Sequence, residues 1–271
     1  MLSRVIWPVY PTSEVVSRLG WTVERGEIQR VCIQAINYPR VFEDILSLVR
    51  EVRSHVEVPI SVSCQPLNPE QMRRLREEGV ERVSVALDAA TEEIFDQVKG
   101  RRVGGPYTWR GHLRALEEAV NVFGRGFVTT HLIVGLGEKE EDLARIMQWC
   151  IDHGVYPSLF AFTPIPGTAL ERRPPPPIGK YRRIQIAHYL MTHGETRFER
   201  MRFGLDGRIL DFGVSGERVW RVVESGRPFL TTGCPGCNRP YYNERPGGTI
   251  YNYPRPLTPE EIEKVKGEIW S

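Results

Sequence analysis

Residues 126–142, GFVTTHLIVGLGEKEED, decide how this chain reads. The stretch opens as an apolar, β-branched run, Val128, Thr129, Thr130, Leu132, Ile133 and Val134. A run of that kind reads as a strand buried on both faces, as in parallel sheets. It stops at Gly135-Leu136-Gly137, where the backbone turns tightly or lets a ligand approach. Glu138, Glu140, Glu141 and Asp142 follow, acidic charge at the start of a helix, where the macrodipole favours it. Strand, glycine turn and helix make one β-α unit. In a β/α barrel such a turn lies on the face where chemistry is done.

Working outward, the unit repeats. Strands are expected at 30–36 (RVCIQAI), 59–64 (PISVSC), 81–88 (ERVSVALD) and 158–165 (SLFAFTPI), besides the one at 128–134. Helical spacing is expected at 13–19, 41–56, 69–78, 91–98, 109–123, 139–153 and 180–193. Five β-α units imply a parallel sheet with right-handed crossovers. Five are too few to close an eight-stranded barrel, so the expected fold is α/β, a partial (β/α) TIM-type barrel with an irregular C-terminal extension. The barrel is assigned to residues 1–195 and the extension to 196–271. The extension carries Cys234-Pro-Gly-Cys237, rich turn chemistry, and a last helix starting at Thr258-Pro259.

Composition is that of an ordinary soluble domain, 41% hydrophobic and 26% charged over 271 residues. A net charge of +2 gives no reason to expect nucleic acid as partner. No apolar run has the length of a membrane span and the N-terminus lacks a signal-peptide core, so a cytoplasmic location is expected. Five cysteines, at 32, 64, 150, 234 and 237, are an odd number in a chain too long to need a disulfide framework. Metal binding or free thiols are the readings that follow. The CxxC at 234–237 is half of a zinc or iron–sulfur site, a redox pair, or a turn. Cys150 reads as a buried, inert thiol in a helix. Asp88, at the end of its strand, is suited either to accept hydrogen bonds from ribose hydroxyls or to cap the next helix. His131 lies within a strand and reads as a core residue.

Ile133-x-Gly135-x-x-Glu138 resembles the later part of the fifth-strand motif GxIxGxxE of radical S-adenosylmethionine (SAM) enzymes, with His131 where the motif has its first glycine. The order RVCIQAI, PISVSC, GVERVSVALDAATEEIFDQVKG, THLIVGLGEKEED and FAFTPIPGT is similar to that superfamily over residues 2–168, in its biotin synthase and lipoyl synthase branch. The tail GCPGCNRPYYNERPGG resembles biotin-synthase-related proteins, some of which act as a two-protein lipoyl synthase. The resemblance implies SAM and a [4Fe–4S] cluster as cofactors. It implies a SAM site formed by Asp88, His131, Gly135, Gly137, Glu138, Phe160, Phe162 and Pro164. It also implies a second cluster as sulfur source, for which Cys32, Cys64, Cys234 and Cys237 are the candidate ligands. The implied activity is sulfur insertion into a protein-bound octanoyl chain, and the implied partners are a sister radical SAM subunit and the octanoylated lipoyl-carrier protein. The alternatives are a non-catalytic scaffold subunit, or a radical SAM enzyme of biotin synthase type. Two features depart from the family. The cysteine of the fifth strand in biotin synthase is Thr129 here, and CxxxCxxC, which holds the SAM cluster, occurs nowhere in these 271 residues. The expectation is a chain truncated upstream of Met1 and unable by itself to reduce SAM.

Overall fold

The structure, a computed structural model, describes residues 8–237 and 247–271. Five parallel strands form one sheet in sequential order: β1 (Val31–Gln34), β2 (Ile60–Cys64), β3 (Val80–Val85), β4 (Val128–Val134) and β5 (Val155–Ala161). The helices between them are α2 (Val41–His55), α3 (Pro69–Glu77), α4 (Glu92–Val98), α5 (Trp109–Phe123) and α6 (Glu140–Asp152), with α1 (Thr12–Glu24) ahead of β1. Each crossover buries one helical stripe against the outer face of the sheet, as with Ile45, Leu46, Val49 and Val52 of α2. Local chemistry fixes the boundaries. Asn68 and Gln71 form a reciprocal capping box ahead of α3, and Thr91 and Thr108 cap α4 and α5. The sheet is an open TIM-type arc: among the described residues β1 and β5 do not pair with each other.

β3 ends three residues earlier than its pattern predicts. Thr130 Oγ1 donates to Val85 O (2.8 Å) and accepts from Leu87 N (3.0 Å), so a side chain replaces the backbone ladder there. The chain rejoins β4 at a single bridge, Asp88 to Leu132. β5 starts three residues earlier than expected and includes Pro157. That proline is tolerated because it lies on the outer edge, where its carbonyl accepts from His188 Nε2 (2.6 Å). Leu159 N, on the same edge, donates to Thr232 Oγ1 (2.7 Å). Side chains from downstream thus cover an edge that would otherwise recruit another strand.

Downstream of β5, α7 (Ile178–Thr192) is buried nearly all round. α6 lies on one side of it. α7 also packs against α8 (Gly216–Glu224) and α9 (Pro259–Glu268), while the hairpin of β6 (Arg202–Phe203) and β7 (Ile209–Asp211) meets the start of α6, where Glu141 N donates to Gly207 O (3.0 Å). α7 carries two buried arginines, each fully engaged. Arg183 Nη2 and Nε meet the Glu140 carboxylate at 2.7–3.1 Å, and that carboxylate also accepts from Ile209 N (2.8 Å). Arg182 donates to Glu268, Gln185 and the carbonyls of Ile250 and Tyr251. Residues on either side of the expected boundary between 195 and 196 are tied together as well, by the bidentate pair of Arg218 with Glu195 (2.6 Å). No described helix is long and apolar enough to cross a membrane.

Candidate active site and interior chamber

The candidate residues at the C-terminal ends of the strands are mostly held by the protein itself. Asp88 is the one described non-glycine residue with positive φ (66°), a strained conformation fixed by two backbone bonds to β4, Asp88 N to His131 O and Ile133 N to Asp88 O, both 2.8 Å. Its carboxylate pairs with Lys99 Nζ at 2.5 Å, and Lys99 also donates to Ala86 O (2.6 Å). Lys99 had no role in the sequence reading, and a ribose hydroxyl would have to share Asp88 with it.

The glycine turn is closed over by the proline-rich connector. A Cβ on Gly135 (φ 112°) would lie 3.0 Å from Pro176 Cδ and 3.1 Å from Phe162 Cβ; one on Gly137 (φ 116°) would lie 3.4 Å from Arg173 Nη1. The close approach that these glycines allow is made by the chain's own strap. Glu138 is buried, its carboxylate accepting from Gly135 N (2.9 Å) and Leu136 N (2.8 Å) and pairing with Lys180 Nζ (2.7 Å). It braces the turn against α7 rather than facing a cleft. Phe162 continues the ladder through its N–H to Val134 O (2.8 Å), with Pro164 half-buried just beyond it. Phe160 is buried with its ring 4.7 Å from that of His131.

His131 is not an apolar-core residue. It faces the concave side of the arc, with Nε2 3.3 Å from Ser84 Oγ. Below it lies a chamber of about 340 Å³. Strand register sets its walls: Cys32 is level with Ser61 and Arg82, Gln34 with Ser63, Ser84 and Thr129, and His131 with Ser158. TIM-type interiors are usually filled by branched aliphatic side chains; this one has few of them and is lined mostly by hydroxyls, thiols, two amides, an imidazole, a carboxylate and guanidinium groups. The loop Gly233–Cys237 reaches in from the extension, placing Cys234 Sγ 3.3 Å from Ser61 Oγ. Tyr156, on the inward side of β5 level with Thr129, has its phenol pushed up to about 12 by burial, with a further contribution from Cys237.

Three of the four cysteine candidates, Cys32, Cys234 and Cys237, therefore line one chamber. Cys64 does not. It follows Ile60 and Val62 on the opposite face of β2, inside the apolar core, and burial pushes its thiol up to about 12. The reason is the period of two: Ser61 and Ser63 occupy the inward positions, so position 64 must point outward. Cys150 is fully buried in α6 and its thiol is likewise raised. Among the described residues no three His, Cys, Asp or Glu side chains already converge tightly enough to hold a metal ion. The tail beyond Cys237, residues 238–246, and residues 1–7 of the resembling segment lie outside the described residues. The sequence reading missed Arg30, Ser61, Arg82 and Ser158. The alternation Ser61-x-Ser63 and Thr129-x-His131 was the available signal, since it marks a polar inner face on strands otherwise apolar.

The parallel sheet, the GLG turn at its C-terminal edge and the polar interior define a class. The family model of the radical SAM superfamily matches residues 4–150, and the chain belongs to that superfamily. It is similar to a biotin synthase of Cenarchaeum symbiosum (strain A), 24% identical over 230 residues that cover 83% of this chain and 65% of that protein. It thus spans about two-thirds of the length of that relative. Among solved structures it is similar to methylornithine synthase (PylB), with a TM-score of 0.56 and 18% identity over 70% of this chain and 56% of that one. It is also similar to the FeFe-hydrogenase maturase HydG from Carboxydothermus hydrogenoformans, with a TM-score of 0.52 and 16% identity over 71% and 46%. At these identities the structures speak for the fold alone. The family implies SAM and a [4Fe–4S] cluster. The donors that would hold the SAM cluster, CxxxCxxC, are absent from the sequence, so no step through that cluster is assigned to this chain. The chamber is different. Its three thiols are donors of the type that ligates an iron–sulfur cluster, with hydroxyl and guanidinium groups beside them, although they do not converge on one point in this structure.

Proposed function

We propose that this chain is the barrel of a radical SAM sulfur-insertion enzyme, lipoyl-synthase-like, with its auxiliary iron–sulfur cluster held in the interior chamber. The observation that carries the reading is the gathering of Cys32, Cys234 and Cys237 around one polar cavity beneath the strand ends. Cys64, which faces the core, is not among the ligands. When bound, such a cluster supplies sulfur and SAM supplies a hydrogen-abstracting radical. The chain's own contribution is geometric. The strap over Gly135 and Gly137 and the Asp88–Lys99 pair shape the nucleoside end, while Ile133 and Phe160, level with each other, form the apolar layer between that end and the chamber. An alkyl chain suits that layer, and polar sulfur chemistry suits the region below it. The SAM cluster, a sister subunit and an octanoylated carrier protein would come from outside these residues.

The test is anaerobic reconstitution of the 271-residue chain with iron and sulfide. We expect about four irons per chain and a charge-transfer absorption. Cys234→Ala with Cys237→Ala should lose both, and Cys32→Ala should lower iron content, while Cys64→Ala and Cys150→Ala leave it unchanged. Equal iron in the Cys234/Cys237 double variant would end the proposal. A second arm adds the octanoylated carrier and a dethiobiotin-like acceptor separately, and binding of the small acceptor alone would favour the biotin-synthase-type alternative.

A further inference from the structure

At the chamber's lower end two arginines meet one carboxylate, because Glu27, which also lines the chamber, is paired with Arg25 (2.7 Å). Arg30, just ahead of β1, and Arg82, on β3, share one carboxylate, Glu81, which lies 2.5 Å from Arg30 and 3.4 Å from Arg82. Two guanidinium groups against one carboxylate leave an excess of one. Both arginine side chains are largely buried. Arg82 turns Nε towards Glu81 and donates from Nη1 to Gly126 O, whereas Nε of Arg30 is buried without a hydrogen bond among the described residues. A buried donor without an acceptor is costly, and a buried unbalanced cation more so. Arg82 is further steadied by Phe127, whose ring centre lies 4.9 Å from its guanidinium carbon.

These cations connect directly to the thiols. Cys32, Ser61 and Arg82 stand level on three adjacent strands, on the same face, and adjacent strands lie roughly 4.8 Å apart. Arg30 Nη1 donates to Ser61 Oγ (3.1 Å), and Ser61 Oγ is 3.3 Å from Cys234 Sγ. Guanidinium, hydroxyl and thiol form one chain of contacts.

We propose that Arg30, Ser61 and Arg82 form a donor floor that binds negative charge in the chamber, the charge being that of the thiolate-ligated cluster; this rests on the reading of the chamber given above. An iron–sulfur cluster held by thiolates is anionic, and it becomes more so on reduction. Cations and hydroxyl donors beside its sulfurs therefore stabilise the reduced form more than the oxidised one, which raises the potential. The floor residues are positioning residues, not ligands. Their removal should spare iron binding and move the potential.

The experiment uses the full chain, reconstituted anaerobically, with iron content and midpoint potential measured on wild type, Arg30→Gln, Arg82→Gln, Arg82→Lys and Ser61→Ala. Arg73→Gln, on the exposed side of α3, is the control. We expect unchanged iron in all. We expect a tenfold or greater loss of preference for the reduced form in each Arg→Gln variant, which is 59 mV for a one-electron couple. Arg82→Lys should recover part of the shift. Should an Arg→Gln variant fail to fold, Ser61→Ala, which removes one small hydroxyl, must still lower the potential. Full iron content with an unmoved potential in Ser61→Ala and either arginine variant would overturn the floor and leave the cluster reading intact. A wild-type chain that takes up no iron would overturn the cluster reading and, with it, the assignment of the floor to a cluster. A parallel arm without iron measures thermal stabilisation by inorganic phosphate. Protection of wild type but not of Arg82→Gln, in a chain that binds no iron, would show that the floor serves a free anion instead.

Discussion

Replacing Glu138 by alanine separates a bracing role from a ligand-binding one. The Glu138 side chain is 1% exposed, and its carboxylate satisfies two backbone N–H groups and the ammonium of Lys180, which also donates to Glu138 O. Alanine would orphan the Gly135 and Leu136 amides, at about 1–3 kcal/mol for each buried donor left unmade. It would also leave Lys180, only 18% exposed, without its counter-ion, and breaking one side of a buried pair costs roughly 3–5 kcal/mol. These losses overlap, because water will reach part of the vacated space, so the expected destabilisation is about 3–5 kcal/mol. Glu138→Gln keeps one acceptor oxygen and should cost about half as much. Urea unfolding at 25 °C, followed by circular dichroism with the m-value held as a check on two-state behaviour, measures it. Lys180→Met should cost less than Glu138→Ala, and the double variant less than the sum of the two, since the charges are lost together. A Glu138→Ala chain within about 1 kcal/mol of wild type, yet unable to bind S-adenosylhomocysteine, would refute this reasoning and return Glu138 to the ligand site.

Three other outcomes follow from the geometry. Brief iodoacetamide labelling of the native chain at pH 8, read by peptide mass spectrometry, should modify Cys32, Cys234 and Cys237 and spare Cys64 and Cys150, whose thiols burial holds protonated. Burial lowers both His112 and His188 to about 4, so each is neutral when folded and takes up a proton on unfolding below its ordinary value. Their contribution to stability is therefore complete above about pH 6.5 and is lost as pH falls from there towards 4, by at most ~3 kcal/mol for each. Chemical denaturation across that range should show the loss, and His112→Phe should flatten part of the slope, because His112 Nε2 has no hydrogen bond to give up among the described residues. Thr232→Val should expose the buried Leu159 amide, costing about 1–3 kcal/mol and speeding hydrogen exchange at that one position of β5.

The order of elements is legible because several β-α units carry their own punctuation: Asn68-Pro69, Thr91 and the GLG turn mark boundaries that hold in three dimensions, while Thr108 does the same although the sequence reading names no cap there. What failed was local in a different way. The end of β3 depends on the hydroxyl of Thr130, a residue 45 positions away from the carbonyl it binds, and no window around Val85 contains it. The strand at 128–134 reads as buried on both faces, which is true of its packing, yet its inward face is polar and borders a cavity. Cys64 stands at the end of the strand next to that of Cys32, but counting by twos from Ser61 and Ser63 places it on the outer face. Gly135 and Gly137 signalled close approach correctly, but sequence cannot say whether a ligand or the chain's own Pro176 and Arg173 does the approaching. The Glu140–Arg183 and Lys180–Glu138 pairs join positions 42 or 43 apart and left no pattern at all.

The covering of the outer edge of β5 has a consequence for the chain while it is being made. Pro157 finds His188 after 31 further residues, but Leu159 waits 73 residues for Thr232. At roughly 5–20 residues per second a ribosome needs about 4–15 s to add that length. For that interval the nascent sheet presents a strand whose last partner has not yet been synthesised. Crowded polysomes would be the setting in which neighbouring nascent chains meet edge to edge, and slowed translation between codons 160 and 232 would lengthen the exposure and raise the demand for chaperones.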